Sequence, residues 1–388
     1  MDEKVLINGE PEVGSIYGVE ELSSILKELE KYSTELNYKP YKTIKKFEDK
    51  FSGFVGTKYA VSVNSGMSAL NTILQAFFGD RKGTVISNAI NFSGTHIGIL
   101  NKGYRLILCE SDENINTDLL DLFHKVEEYK PEAVVLTNMN GLSHDEKYIN
   151  QEIKRISPNT IFITDCCRSL GSKCNYIHCG VYSDASFFSF QRKKMISTLG
   201  EGGMIVTNDS SIYEKCKKIR SFGYFEGEGE NFKLTSFQAA VGLVQLDKLN
   251  DLVNKRRQIS LNRTDFLKKH LRGWVYPVNN EIDYNSFYLY TLLAPVTWAS
   301  EQRDNLIALL LKKYGIGCVV ANKVTYESSS WVRKNTQQRL TKSETISNRI
   351  ICPIIHPILT NEQENYINES ILKSIEEVEN NEGRICNN

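Results

Sequence analysis

No sign of charge predominates in this chain of 388 residues, in which 47 lysines and arginines balance 47 aspartates and glutamates. A surface built to hold nucleic acid shows a basic excess or a basic stripe, and neither is present, nor is a helix-turn-helix pattern. The cluster Lys255-Arg256-Arg257 lies in a helical pattern and reads as a solvated face. Long apolar runs are missing too. Nothing approaches the roughly 18 residues of a membrane span, and the polar, acidic stretch from Met1 to Gly14 lacks a signal-peptide core. There are no repeats and no low-complexity tracts. The nine cysteines are scattered, some in apolar strand-like stretches (Cys109, Cys352), which reads as reduced thiols in a cytoplasmic protein. Cys174, His178 and Cys179 lie close together, but their spacing fits no common zinc pattern and no metal is expected. No G-x-G-x-x-G follows the first strand pattern; Gly223, Gly227 and Gly229 lie far downstream, which argues against a plain dinucleotide-binding enzyme.

What is present is an alternation. Tyr59–Val63, Thr84–Ser87, Tyr104–Cys109, Ala133–Thr137, Thr160–Thr164, Ser186–Phe190 and Gly203–Thr207 read as strands. Amphipathic stretches link the first five, such as Met67–Phe78 with Ala69, Leu70, Ile73, Leu74 and Phe77 on one face. This pattern predicts an α/β domain with a mostly parallel sheet covered by helices. A long helical pattern runs from Thr235 towards Gly273. Beyond it come strand-like Phe287–Leu293, a helix around Gln302–Tyr314 and a closing amphipathic segment, Asn361–Asn380. The expected division is a large α/β domain over residues 1–250 and a smaller α+β domain over 251–388.

Three places carry candidate chemistry. Ser65-Gly66-Met67-Ser68 follows the first strand and opens a helix, whose free N–H groups and partial positive charge make a natural phosphate seat. Taken alone, the segment reads first as a common strand–turn–helix unit with Ser65 as a plain helix cap. Asp165 ends a strand, where an acid of a parallel sheet points into the ligand crevice. There it could keep a pyridine nitrogen protonated or simply cap a helix. Phe188-Ser189-Phe190-Gln191-Arg192-Lys193-Lys194 runs past a strand into the glycine-rich turn Gly200-Glu201-Gly202-Gly203. A Schiff-base lysine suits such a place, because desolvation and cationic neighbours favour the free amine. A surface basic cluster and hairpin is the competing reading.

Together with Lys45–Phe51, Tyr59–Gly66, Asn231–Thr235, Gln238–Leu246 and Pro353–Pro357 followed by Leu359-Thr360, these segments resemble the DegT/DnrJ/StrS family of aminotransferases. These use pyridoxal 5′-phosphate (PLP) and have the fold-type-I, aspartate-aminotransferase-like architecture. The resemblance covers nearly the whole chain and implies roles residue by residue. Lys194 stands at the Schiff-base position, with Lys193 its rival by adjacency. Asp165 matches the acid paired with the pyridine nitrogen. Phe92 and Cys167 match the residues on the two faces of the cofactor ring. Gly66, Met67 and Ser68 form the phosphate turn, where Met67 and Ser68 would offer backbone N–H groups and Ser189 a hydroxyl. Asn231 matches an asparagine that reaches the phosphate of a neighbouring subunit, which implies a homodimer with shared active sites. Arg168 departs from the family pattern, standing where Gln or His is usual near the cofactor's phenolic oxygen. The small-domain His-Tyr is absent around Val320-Ala321-Asn322, and Tyr38-Lys39-Pro40-Tyr41 replaces a usually glycine-containing turn.

The implied reaction moves an amino group from an amino acid, L-glutamate by resemblance, to a keto-sugar that is nucleotide-linked. Lys194 serves as general base and acid. A small phosphorylated ketone or a cyclitol as acceptor stays open. A PLP-dependent sugar dehydratase is disfavoured because such relatives carry His where Lys194 stands. A non-catalytic protein is disfavoured by the retention of Lys194 and Asp165.

Overall fold

The computed structural model describes residues 7–277, 284–298 and 300–385. Its centre is a seven-stranded sheet made of β1 (Tyr59–Val63), β2 (Thr84–Asn88), β3 (Arg105–Cys109), β4 (Ala133–Thr137), β5 (Ile161–Asp165), β8 (Ala185–Ser189) and β9 (Gly203–Thr207). The strand order is β1-β9-β8-β5-β4-β2-β3. Only β9 runs against its neighbours; it pairs antiparallel with both β1 and β8. The two-residue strands β6 (Lys173–Cys174) and β7 (Ile177–His178) form a separate antiparallel pair.

Both faces of the sheet are covered, which is why its strands are apolar on alternate residues in both directions. Ile86, Val134, Leu136 and Phe162 share a core with Leu122, Val126, Ile149 and Ile153. The last four lie on α5 (Leu119–Tyr129) and α6 (Glu146–Ile156). Their strand neighbours Val85, Val135 and Ile163 belong to the opposite core. That core also takes residues of α2 (Tyr41–Val55), α3 (Gly66–Phe78), α4 (Ser93–Asn101), α7 (Ser210–Arg220) and α8 (Ser236–His270). The first helix, α1 (Val19–Thr34), lies along α8.

Helix α8 crosses residue 250 without a break, so the division drawn there falls inside a helix. Leu246, Leu249, Leu252 and Val253 belong to the core under the sheet, whereas Leu267 belongs to a second core. That second core gathers α9 (Ser300–Tyr314), α13 (Asn361–Ile385) and a three-stranded antiparallel sheet. The sheet order is β10-β12-β11, from Leu292–Leu293, Ile350–Pro353 and Cys318–Val319. Between β11 and β12 the chain leaves this unit. Helices α10 (Thr325–Ser328), α11 (Ser330–Thr336) and α12 (Thr341–Ser347) return towards α4 and β3. The Thr325 hydroxyl lies 2.7 Å from Nδ1 of His96, and Ser111 N–H donates to Ser343 Oγ at 2.8 Å.

Three sequence expectations change. The strand read over Phe287–Leu293 shrinks to Leu292–Leu293, because Phe287 takes φ 48°, a left-handed value that no extended strand contains. The segment Pro353–Pro357, which by resemblance to the family would be its closing strand, joins the ladder only at Pro353: the strand is Ile350–Pro353, and Ile354 and Ile355 are buried in the second core. Arg256 is not on a solvated face. It is 2% exposed and donates to the backbone carbonyls of Gly14, Tyr288 and Ile355, tying three segments to α8.

Candidate active site

The carboxyl ends of β1, β2, β4, β5 and β8 open into one cleft of about 660 Å3. Parallel sheets place ligands at this edge, because strand ends and the following turns converge there. Gly66, Met67, Phe92, Asp165, Cys167, Arg168, Ser189 and Lys194 all line the cleft.

Helix α3 begins at its floor. Ser65 caps it, its Oγ accepting the Ser68 N–H at 3.1 Å. That bond occupies the Ser68 amide, and the Ser68 side chain is buried, donating to Asn64 Oδ1 at 2.6 Å; Ser68 is not among the cleft-lining residues. Gly66 lets the helix start close to its neighbours: a Cβ there would stand 3.1 Å from Ser189 Cβ and 3.2 Å from Cys167 Sγ. Gly203 does the same for the returning strand β9, where a Cβ would lie 2.4 Å from the Ser65 carbonyl oxygen.

Asp165 is 2% exposed. Its Oδ2 accepts from the hydroxyls of Thr95 (2.9 Å) and Thr137 (3.1 Å), and its Oδ1 accepts from Cys167 N–H (3.0 Å). No helix follows it, so it caps none. Among the described residues it makes no ion pair, which leaves a buried carboxyl group facing a cleft. Burial pushes the Cys167 thiol well above the usual thiol range, keeping it protonated beside the carboxylate.

The Lys194 amine lies 4.8 Å from the centroid of the Tyr288 ring. Burial, then the nearby Arg168 guanidinium, lowers its pKa below the usual lysine value. Lys193 points elsewhere, towards Glu10 (3.3 Å) and Glu12 (3.7 Å). Arg168 is 8% exposed; it donates to Asn140 Oδ1 at 2.9 Å and stacks on the same Tyr288 ring at 5.4 Å. Asn231 is exposed, bridges to Ser221 and lies outside the cleft of its own chain. Phe92 is 58% exposed on the cleft wall.

Sequence reading did not single out Tyr288, Glu10, Thr95 or Thr137. The hydroxyl pair had no motif around it. Tyr288 sat inside an expected strand, and Glu10 in a polar terminus. Directly after the kink at Phe287, Tyr288 lines the cleft, where its hydroxyl donates to Glu10 Oε1 at 2.9 Å. Among the described residues no three His, Cys, Asp or Glu side chains converge as a metal site, and no helix is long and apolar enough to cross a membrane.

The model of the DegT/DnrJ/EryC1/StrS aminotransferase family matches residues 20–372. A GDP-perosamine synthase of Escherichia coli O157:H7 is 30% identical over 337 residues, 84% of this chain and 89% of that protein. A UDP-4-amino-4,6-dideoxy-N-acetyl-β-L-altrosamine transaminase of Helicobacter pylori (strain ATCC 700392 / 26695) is 31% identical over 342 residues, covering 85% and 89%. Among solved structures, Helicobacter pylori PseC, an aminotransferase involved in the biosynthesis of pseudoaminic acid, superposes with a TM-score of 0.84. It is 28% identical, over 95% of this chain and 100% of that one.

Proposed function

The chain belongs to the DegT/DnrJ/EryC1/StrS aminotransferase family, and from that premise we propose a PLP enzyme that transfers an amino group from L-glutamate to a nucleotide-linked keto-sugar. The observation that carries this reading is the meeting of the Lys194 amine and the Asp165 carboxylate in one cleft above the start of α3. The cleft residues fit the cofactor. A buried carboxylate without an ion pair among the described residues suits a protonated pyridine nitrogen, since each charge favours the other. The N–H groups of Gly66 and Met67 and the Ser189 hydroxyl would hold the phosphate at the helix N-terminus. Phe92 and Cys167 would flank the ring, and Arg168 would stand on the side of the phenolic oxygen.

Bound there, PLP supplies an electron sink for cleavage of a bond to hydrogen. Lys194 Nζ, whose affinity for a proton burial and Arg168 lower, would take a proton from carbon and return one. Thr95 and Thr137 hold Asp165 in orientation through this exchange. Asn231 would complete the phosphate site of a second copy, making a homodimer with shared active sites. The named activities of the E. coli and H. pylori relatives support a nucleotide-linked acceptor. The eight described cysteines are all free thiols, which supports a reducing, cytoplasmic setting.

The test is an absorbance spectrum of the purified protein before and after L-glutamate. The visible band of the bound cofactor should fade as 2-oxoglutarate appears. Lys194→Ala should abolish turnover while cofactor binding partly persists; unchanged turnover in that variant would sink the assignment. A colourless protein that cannot be reconstituted with PLP would undo it as well.

A further inference from the structure

Two adjacent lysines meet opposite surroundings. Lys193 is held by carboxylates, with Nζ 3.3 Å from Glu10 Oε2 and 3.7 Å from Glu12 Oε1. Lys194 makes no ion pair among the described residues. It shares the ring of Tyr288 with a second cation, its Nζ 4.8 Å and the Arg168 guanidinium carbon 5.4 Å from the centroid. The two charges therefore lie within roughly 10 Å of each other, about one screening length in dilute salt, in a site where burial weakens screening further.

Arg168 is fixed there without being neutralised. It forms no ion pair among the described residues, and the partner it does have is neutral: Nη1 donates to Asn140 Oδ1 at 2.9 Å. Asn140 is 1% exposed, sits at φ 53° and is itself held by donation to Thr291 Oγ1 at 3.0 Å. The other side of the guanidinium rests on Tyr288, whose hydroxyl is anchored to Glu10. An arginine clamped this way cannot swing out to solvent or to a substrate anion without breaking a buried hydrogen bond.

We propose that Arg168 is a positioning residue that disfavours the ammonium form of Lys194, through a charge that Asn140 and Tyr288 fix in place but do not cancel. The inference rests on the reading of Lys194 as the reacting amine and deepens it. The groups facing Lys194 divide clearly. Arg168, from the turn after β5, disfavours the ammonium form; Asp165 at the end of β5 and Glu10 from the N-terminal segment favour it, whereas Cys167 beside Arg168 would do so only as a thiolate, which its burial opposes. The Tyr288 face also attracts a cation. Burial acts with Arg168, and together they outweigh the rest, so Lys194 lies below the usual lysine value.

The experiment is competitive trace acetylation of the full-length chain, freed of cofactor, with acetic anhydride between pH 6 and 11. Each lysine is read by mass spectrometry. Arg168→Gln should raise the midpoint of the Lys194 curve by about half to one pH unit, a roughly three- to tenfold loss of free amine at neutral pH. The Lys193 curve should stay in place. Arg168→Lys, which retains the charge, should restore most of the original midpoint, an outcome that a purely structural role would not produce. Asn140→Ala, which frees the guanidinium, should shift Lys194 in the same direction by less, and it serves as the test if Arg168→Gln does not fold. An unmoved Lys194 midpoint, or equal shifts at both lysines, overturns the proposal. Acetylation needs no cofactor, so failure of the PLP reading would appear separately in the absorbance experiment.

Discussion

Asp165 and Lys194 show how far a single side chain's chemistry depends on its partners. A carboxylate taken out of water is costly unless hydrogen bonds or a cation compensate it. Asp165 has three protein hydrogen bonds and, among the described residues, no ion pair. In the proposed site a protonated pyridine would supply the opposite charge. Asp165→Asn preserves the shape and can keep an acceptor for Thr95 and Thr137, but removes the anion. The expected result is a loss of turnover on the order of a hundredfold or more, with cofactor still retained. Turnover measured alongside the cofactor content of the purified variant decides it; wild-type turnover would remove Asp165 from its assigned role. The residue scale is also where sequence reading stopped short. Asp165 and the Lys193-Lys194 pair could be picked out because each stands beyond a strand end, a position that the apolar pattern reveals; the choice of Lys194 came from the resemblance. Thr95, Thr137, Tyr288 and Glu10 act through distances that no spacing along the chain encodes.

At the scale of elements, the site stands on helices packed closely enough to depend on single methyl groups. Gly242 of α8 faces the buried Phe47 of α2, and a Cβ there would stand 2.6 Å from the ring. Phe47 in turn contacts Phe51 and Phe190, the latter on the segment that leads to Lys194. Gly53, also in α2, is exposed and would place a Cβ in open space. The two glycines should therefore respond oppositely to the same substitution. Gly242→Ala should lower stability by about 1–3 kcal/mol through overpacking, despite alanine's better helix propensity. Gly53→Ala should raise it by about 0.5–1 kcal/mol. Urea unfolding midpoints compare them directly, and a stabilised Gly242→Ala would mean that the α2–α8 contact is looser than its geometry. Elements with strong periodicity were legible: β1, β4 and β9 match their expected spans, and the long helix ends within a few residues of its expected limits. The strand over Phe287–Leu293 was not. A run of aromatic and aliphatic residues fits an extended strand and a kinked buried segment equally well.

For the whole molecule, four of the six histidines are held neutral by burial, His96 down to about 3 and His144, His178 and His356 to about 4. Their partners agree. His144 lies between Asn138 Oδ1 and the N–H of Thr117, an arrangement that needs one protonated and one bare ring nitrogen. In the unfolded chain such rings protonate near pH 6.5. Between that value and about 4 the unfolded state binds more protons, so acid favours unfolding. Glu146 works the other way. Burial holds its carboxyl up to about 7, so between that value and its ordinary 4.5 the folded state carries the extra proton. Burial raises the Asp112 carboxyl as well, so two carboxyls oppose four imidazoles. The melting temperature should therefore fall as pH drops from about 6.5 to 4.5, with most of the loss below 6; a flat profile over that range would contradict the buried-histidine account.

Sequence alone determined the α/β class, the positions of most sheet strands, the family resemblance and the lysine and aspartate most worth testing. The class and the strands follow from local pattern, since burial on a sheet face or helix stripe leaves a period in the residues themselves; the choice of Lys194 over Lys193 and the role given to Asp165 rest on the resemblance. Tertiary structure decided what lies beside what: Arg168 and Lys194 on one ring, Lys193 drawn off by Glu10, Ser68 turned to Asn64, and Arg256 buried among three carbonyls. These contacts join segments far apart along the chain. A charge's meaning depends on its distance to other charges and to water, and only the folded chain sets those distances.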